Sequence, residues 1–190
     1  MRAAWNTARI EWGWELGDNP LTLIRFPKGN PPRERRLREG EYEALREAAH
    51  SSRSWYLWPI VDIAIETAMR RGEILSLQWA NIEWHKKRAL LPITKNGRSR
   101  WVPLSQVALQ HIYQAPQTAD LVFPITDTAI RQAWERLRTR AGITDMTFHD
   151  LRHEAISRLF ENGMNIPQVM AISGHQTASQ LFRYVQLKSI

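Results

Sequence analysis

Cysteine is absent from all 190 residues of the chain. Disulfide bonds, thiolate metal sites and cysteine nucleophiles are therefore excluded. Long apolar runs are also lacking, since the longest, residues 60–65, is interrupted by Asp62 and is too short to cross a bilayer. The N-terminal residues are rich in arginine and tryptophan and contain no apolar signal-peptide core. These absences predict a soluble, cytoplasmic protein that does not act on a membrane.

Acidic residues are scarcer than basic ones, at 19 against 26, which gives a net charge of +7. The isoelectric point near 10.2 predicts a polyanionic partner, with nucleic acid foremost. An anionic membrane surface is the alternative, although no basic amphipathic helix with a clean apolar face supports it. The remaining composition, 43% apolar and 24% charged, excludes disorder throughout and predicts a globular core.

The chain divides into three segments by composition. Trp5, Ala8 and Trp12 recur at helical spacing and predict a helix over residues 3–14, which the breaker at residues 17–20 would end. Because an isolated helix is marginal in water, residues 1–24 are expected to be the end of a preceding domain. The proline-rich and charged residues 25–34 predict an extended linker.

The third segment, residues 35–190, is predicted to form a mainly α domain with a small antiparallel β-hairpin. Short β-prone runs at residues 89–94 and 100–104 flank Asn96-Gly97, a strong hairpin signal. Apolar periodicity and capping residues predict helices over residues 39–50, 55–69, 71–79, 105–114, 126–140, 149–161, 166–172 and 178–186.

Residues 149–153, His-Asp-Leu-Arg-His, carry the most informative group of polar side chains. Positions i, i+3 and i+4 share one helical face, so His149, Arg152 and His153 can converge. Two imidazoles and one guanidinium on one face predict an anion site. A solvated helix end is the alternative for this segment taken by itself.

The same spacing of histidines also occurs in zinc hydrolases, which makes His149, His153 and His175 an alternative metal site. Two features disfavour zinc. Asp150 stands where such enzymes have a catalytic glutamate, and Arg152 would place a permanent positive charge beside a dication. We therefore predict no bound metal.

Other polar groups lie at the predicted ends of elements. Arg70 and Glu73 are one turn apart between two apolar segments, where Glu73 is expected to hold and aim the arginine. Lys95 lies at the hairpin turn, His175 follows Ser-Gly, and Tyr184 comes nine residues later. Taken singly, each has an ordinary structural alternative: an ion pair, a solvated lysine, or a structural histidine or tyrosine.

Together and in this order, these groups resemble the tyrosine recombinases, also called the phage integrase family, over residues 35–184. The family's catalytic set maps onto Arg70, Lys95, His149, Arg152, His175 and Tyr184. Glu73 and His153 are the expected orienting residues. The resemblance also implies that residues 1–24 are the last helix of a core-binding domain, that residues 25–34 are its linker, and that residues 35–190 are a catalytic domain with a short C-terminal tail.

Two positions depart from the family pattern. Ala68 stands where the family usually has glycine, and Ser173 stands where it usually has leucine. Both changes are small and leave the reacting groups in place. Residues 149–161, HDLRHEAISRLFE, are in addition similar to inversion-type shufflon recombinases.

The resemblance implies a site-specific DNA recombinase that works through a covalent 3′-phosphotyrosine. Arg70 and Arg152 would clamp the phosphate, and His175 would add a hydrogen bond. Tyr184 would be the nucleophile, with His149 as its base and Lys95 as general acid. The family needs no metal, ATP or other cofactor, and it exchanges strands of double-stranded DNA through a Holliday junction within a homotetramer.

Two other functions stay open at this point: a type IB-like DNA topoisomerase, and a non-catalytic DNA-binding module of the same fold. Integration, excision, inversion and chromosome-dimer resolution also stay open as reactions. Most DNA contacts are expected to be to phosphates. The arginines expected to make them are Arg98, Arg100, Arg131 and Arg138.

Overall fold

The computed structural model describes residues 2–24, 33–92 and 99–185. The chain falls into two compact units, Met1–Arg33 and Glu34–Ile190. Most of the expected linker lies outside the described residues, as does the predicted Asn96-Gly97 turn. The assignment of domains made from the sequence therefore stays a prediction.

The described residues of the first unit form one helix, α1 (Arg2–Ile10), and a 3₁₀ turn at Pro20–Thr22. The helix ends earlier than predicted, and the chain then passes through Gly13, whose φ of 67° only glycine adopts without strain. Trp12 and Trp14 consequently lie beyond the helix, where their rings meet edge to face at 5.5 Å.

The second unit is mainly helical with one small sheet, as the sequence predicts. Its helices are α2 (Glu41–His50), α3 (Leu57–Thr67), α4 (Arg71–Leu75), α5 (Gln106–Gln114), α6 (Asp127–Arg140), α7 (Phe148–Glu161), α8 (Ile166–Ser173) and α9 (Phe182–Val185). Its antiparallel strands, in spatial order, are β1 (Ile82–Glu83), β2 (Arg88–Leu91) and β3 (Arg100–Pro103). In the described part of the chain, no helix is long and apolar enough to cross a membrane.

Two predicted helices are shorter than expected. The one predicted over residues 71–79 stops at Leu75 because the following residues are extended and pair with another segment. Val122 N donates to the carbonyl oxygen of Leu77 at 2.8 Å, and Trp79 N donates to that of Asp120 at 3.1 Å. The helix predicted over residues 178–186 is a 3₁₀ turn at Ala178–Gln180 followed by the short α9.

The sheet has one inward face, which the register of β2 and β3 defines. Ala89 pairs with Val102, and both side chains are fully buried. Leu91, also buried, pairs with Arg100. Side chains alternate along a strand, so Arg100 shares the inward face of β3 with Val102.

Helix α3 lies at the centre of the core, between α5 and α7. Its Ile60 and Ile63 are completely buried, and each fully buried side chain of this kind contributes roughly 1.5–3 kcal/mol to stability. Because α7 packs directly on this helix, the residues at the start of α7 have a rigid support.

A second apolar cluster joins α7, α8 and α9. Phe160 of α7, Val169 of α8 and Leu181 pack together there, and the cluster includes Tyr184 of α9 and Ala68. Tyr184 is only 6% exposed. This cluster packs the ring of the predicted nucleophile against the helix that carries residues 149–153.

Ala68, at the end of α3, adopts a left-handed conformation with φ of 56° and ψ of 17°. For an L-residue this region costs roughly 1–2 kcal/mol, because Cβ approaches the following carbonyl oxygen. The glycine that Ala68 replaces would adopt it freely. Alanine in place of the family's usual glycine therefore creates a strained backbone position at Ala68, two residues before Arg70.

We expect Ala68→Gly to change the free energy of unfolding by less than about 0.5 kcal/mol, since relief of the backbone strain offsets the added entropy of the unfolded chain and the loss of a buried methyl group. Urea unfolding followed by circular dichroism measures this change. Ala171→Gly, at an exposed position inside α8, is the matched control and should lower stability by about 1 kcal/mol. A loss at position 68 similar to that of the control would contradict the strain argument.

Candidate active site

The start of α7 is fixed by a capping box. Asp150 accepts a hydrogen bond from the backbone N of Thr147 at 2.7 Å, and the Thr147 side chain caps the helix in return. Asp150 is 1% exposed. The acid that the sequence places beside two histidines therefore caps the start of α7, and it sets the direction in which His149 and Arg152 project.

Arg152 is buried, with 3% of its surface exposed. Its Nη1 donates to the carbonyl oxygen of Ala68 at 2.5 Å, and its Nη2 donates to that of Ser173 at 2.6 Å. Burial and the nearby Arg70 charge lower the pKa of Arg152 to about 10, which still leaves it cationic at neutral pH. The side chain thus joins the ends of α3 and α8 while keeping its charge.

Glu73 binds two arginines through one carboxylate. It accepts from Arg70 N at 2.7 Å and from Arg70 Nη1 at 3.0 Å, which confirms the contact expected between the two. Arg100 donates to the same two oxygens at 2.9 and 2.7 Å. Burial by itself would raise the pKa of Glu73, but the hydrogen bonds from Arg100 and Arg70 hold it below its ordinary value.

A cleft of about 260 Å³ opens beside these groups. Arg70, His149 and Arg152 line it, together with Gly72. Arg71 also lines it, but its guanidinium is bonded to Asp127 at 2.7 Å. Arg70 and Arg152 therefore give the cleft a positive charge suited to an oxyanion such as phosphate.

Tyr184 is connected to this cleft through two histidines. Its hydroxyl is hydrogen-bonded to Nδ1 of His153, and the two rings stack with centroids 5.7 Å apart. The His149 ring meets that of His153 edge to face at 5.2 Å and lines the cleft. The order from the phenol to the cleft is therefore Tyr184, His153 and His149.

Burial is the main cause of the pKa shifts of Tyr184, His153 and His149. It raises the pKa of Tyr184 and, with the charge of the neighbouring His149, lowers the pKa of His153 to about 4. Partial withdrawal from water and the Arg152 charge also lower the pKa of His149. At neutral pH the phenol is consequently protonated and His153 is a neutral imidazole that can accept a proton.

The tautomer of His175 follows from its partner Ser173. The Ser173 hydroxyl donates its single proton to the carbonyl oxygen of Val169 at 2.6 Å. His175 Nδ1, at 2.7 Å from the same oxygen, must therefore be the donor, which leaves Nε2 unprotonated in the neutral ring. Burial and the charges of Arg152 and Arg70 lower the pKa of His175 to about 4.

The remaining predicted residues are dispersed. Lys95 and Arg98 lie outside the described residues. Arg100 is 11% exposed and bonded to Glu73, Arg131 is exposed on α6, and Arg138 donates to Glu135 on the same helix. The expected DNA contacts of these arginines stay predictions.

Three contacts in the site were not expected from the sequence: the bond of Arg100 to Glu73, that of Ser173 to His175, and that of Tyr184 to His153. The alternation of β3 could have revealed the first, because it places Arg100 on the face of buried Val102. Within the described residues, no three or more histidine or carboxylate side chains are arranged to hold a metal ion. The donor geometry thus gives no support to the zinc alternative.

Comparison with known proteins gives consistent matches. The model of the phage integrase family matches residues 35–189. A shufflon-specific DNA recombinase of Escherichia coli is 42% identical over 191 residues, covering 100% of this chain and 49% of that protein. The chain spans about half the length of this recombinase and of a similar integrase/recombinase of Haemophilus influenzae, to which it is 37% identical over 90% of its length.

Solved structures show the same fold. The catalytic domain of bacteriophage HP1 integrase has a TM-score of 0.67 at 26% identity, covering 81% of this chain and 88% of that one. A lambda integrase tetramer bound to a Holliday junction has a TM-score of 0.74 at 21% identity, covering 94% of this chain and 57% of that one. With the family model matching 155 residues, 35–189, and with 42% identity along its whole length to a recombinase, this chain belongs to the phage integrase family, the tyrosine recombinases.

Proposed function

We propose that this protein is a site-specific DNA recombinase that cleaves and rejoins strands through a covalent 3′-phosphotyrosine. The observation that carries the proposal is the positive cleft formed by Arg70 and Arg152, to which two histidines connect Tyr184. The similarity to a shufflon-specific recombinase supports strand exchange over simple relaxation by a topoisomerase, and it supports inversion among the possible exchanges.

Arg70 and Arg152 bind the scissile phosphate in this scheme. Attack on phosphorus builds negative charge on the non-bridging oxygens, and charge-assisted hydrogen bonds to such oxygens contribute roughly 1.5–3 kcal/mol each. Arg152 is held by two carbonyl oxygens and Arg70 by Glu73. Both guanidiniums are therefore oriented before DNA arrives, and little reorganisation is needed during the reaction.

Tyr184 is the nucleophile. Its Oη forms a bond to phosphorus while the bond from phosphorus to the 5′ oxygen breaks, and the 5′ oxygen leaves with a proton that Lys95 is expected to supply. Ionising a free phenol at pH 7 costs about 4 kcal/mol, and burial increases that cost here. A base and the cationic cleft offset it. The phosphotyrosine retains the bond energy, so a free 5′ hydroxyl can reverse the step without ATP.

We propose that His153 is the first group to accept the proton of Tyr184. The family resemblance gives the role of base to His149, but the hydroxyl of Tyr184 contacts His153 Nδ1. His149 stands between His153 and the cleft, where it can pass the proton on or contact the phosphate. Tyr184 itself reaches phosphorus by a shift of α9, a four-residue helix that is easier to displace than α7.

His175 contributes after phosphate binds. With Nδ1 bonded to Ser173, only Nε2 is available to an incoming group, and in the neutral ring it carries no proton. A phosphate in the cleft raises the pKa of His175, because its negative charge favours the imidazolium. The protonated ring then donates from Nε2 to a non-bridging oxygen.

Double-stranded DNA is the proposed partner, and a homotetramer is the proposed assembly for strand exchange. The net charge of +7 supports a polyanionic substrate. The fold shared with the lambda integrase tetramer bound to a Holliday junction supports the assembly. Such a reaction belongs in the cytoplasm of a bacterial or phage-infected cell, where the DNA is.

The nucleophile is tested with a pool of nicked suicide duplexes of randomised sequence, incubated with the protein in chelator and without nucleotide. We expect a protein–DNA adduct that survives denaturation, and we expect Tyr184→Phe to abolish it while leaving DNA binding intact. Tyr113→Phe, at a side chain 77% exposed, is the matched control and should form the adduct normally. An adduct that persists in Tyr184→Phe, or none in the wild-type protein, contradicts the proposal.

The base assignment is tested by substituting each histidine with asparagine, which does not titrate in this range. His153→Asn should lower the single-turnover cleavage rate by about 10²–10⁴-fold, the usual contribution of a general base. Because a protonated imidazole cannot accept, the wild-type cleavage rate at subsaturating protein should persist below pH 6.5 and fall as the pH approaches the pKa of about 4 that burial gives His153 before DNA binds. A larger loss in His149→Asn, with His153→Asn nearly active, returns the role of base to His149.

A further inference from the structure

Arg100 begins β3 and points to the interior, although its position after the hairpin made it a candidate for contact with DNA. Its side chain is 11% exposed, and the Glu73 side chain that it binds is 6% exposed. Both terminal nitrogens donate to that carboxylate, in the two-pronged geometry that arginine alone provides. Glu73 in turn orients Arg70, so Arg100 limits the positions that Arg70 can take.

The same guanidinium also contacts the end of α8, on the side of the site that carries His175. Its Nε donates to the carbonyl oxygen of Ile172 at 2.9 Å, at the end of α8. Gly174 lies directly against it, since a Cβ at that position would be 2.9 Å from Cζ of Arg100. Gly174 also ends α8 with φ of 72° and immediately precedes His175.

Three independent contacts therefore meet on one planar group: the Glu73 carboxylate, the Ile172 carbonyl and the backbone of Gly174. The Glu73 carboxylate connects the guanidinium to Arg70, and the contacts with Ile172 and Gly174 connect it to the segment that carries His175. Lysine could not reproduce this arrangement, because its ammonium group has neither a planar face for the glycine nor a fork for the carboxylate.

We propose that Arg100 is a positioning residue that sets the separation between Arg70 and His175, and that it does not bind DNA phosphate. This inference rests on the proposed function, because the two groups it spaces are the proposed ligands of the scissile phosphate. Displacing such ligands by about 1 Å lowers rates by about 100-fold without a comparable effect on binding.

The test separates the cleavage rate from DNA affinity in the whole 190-residue chain. Single-turnover cleavage of a suicide duplex captured from the pool is measured at saturating protein, and affinity is measured separately by fluorescence anisotropy. Arg100→Met should lower the rate by about 100-fold with unchanged affinity. Arg100→Lys, which keeps the charge beside Glu73, should recover part of the rate, to within about 10-fold of wild type.

Arg88→Met is the matched control. It removes an arginine–carboxylate pair, with Glu83, at the other end of the same β2–β3 ladder, and it should leave the cleavage rate unchanged. Gly174→Ala keeps every charge but places a Cβ against the guanidinium. It should slow cleavage strongly in the wild-type background and much less in the Arg100→Met background, because the group it displaces is then absent.

Each result has one meaning. If Arg100→Met weakens DNA binding, reduces its salt dependence by about one ion and leaves the saturated rate intact, Arg100 binds phosphate and the inference is wrong. Should the methionine variant unfold, a wild-type rate in Arg100→Lys and Gly174→Ala overturns the inference. If the wild-type protein forms no adduct, the proposed function is wrong and the inference is wrong with it. If wild type and Arg100→Met form the adduct equally, the proposed function stands and only the inference is wrong.

Discussion

The sharing of the Glu73 carboxylate between Arg70 and Arg100 is the interaction on which the rest of the site depends. Guanidiniums this close repel one another, and the repulsion grows as they are withdrawn from water. Glu73 offsets part of it, while Arg152 is held by neutral carbonyl oxygens that leave its charge uncompensated. The cleft therefore keeps an excess of positive charge, which the negative charge of a phosphodiester would neutralise.

The same charged groups also connect the helices and the strand that surround the site. Arg152 joins the end of α3 to the end of α8, and Arg100 joins β3 to α4 and α8. Elements far apart in sequence are thereby fixed relative to one another by side chains that also hold the proposed phosphate ligands. In contrast, α9 rests mainly on apolar contacts and one hydrogen bond to His153, which suits the movement toward phosphorus that we propose for Tyr184.

Most of the helices, and the projection of His149 and Arg152 from one face of α7 into one cleft, could be predicted from the sequence, because both leave local signals. Thr126 and Ser105 cap helices where their residue types predict caps, and the residues of His-x-Leu-Arg-His share a face through helical spacing. The shortest elements were missed or overextended: β1 has only two residues, and pairing with residues 120–122 ends α4. The contact of His153 with Tyr184 spans 31 positions, and no local pattern encodes which of the two histidines the phenol meets.

Tyr184 is the residue that the proposed function joins covalently to DNA, and peptide mapping tests this assignment most directly. The trapped adduct would be digested with nuclease and trypsin, and the peptides analysed by mass spectrometry for a residual nucleotide. We expect a nucleotide attached through its 3′ phosphate to the peptide of residues 184–188, which begins at Tyr184. A nucleotide on any other residue, the exposed Tyr113 included, would contradict the account.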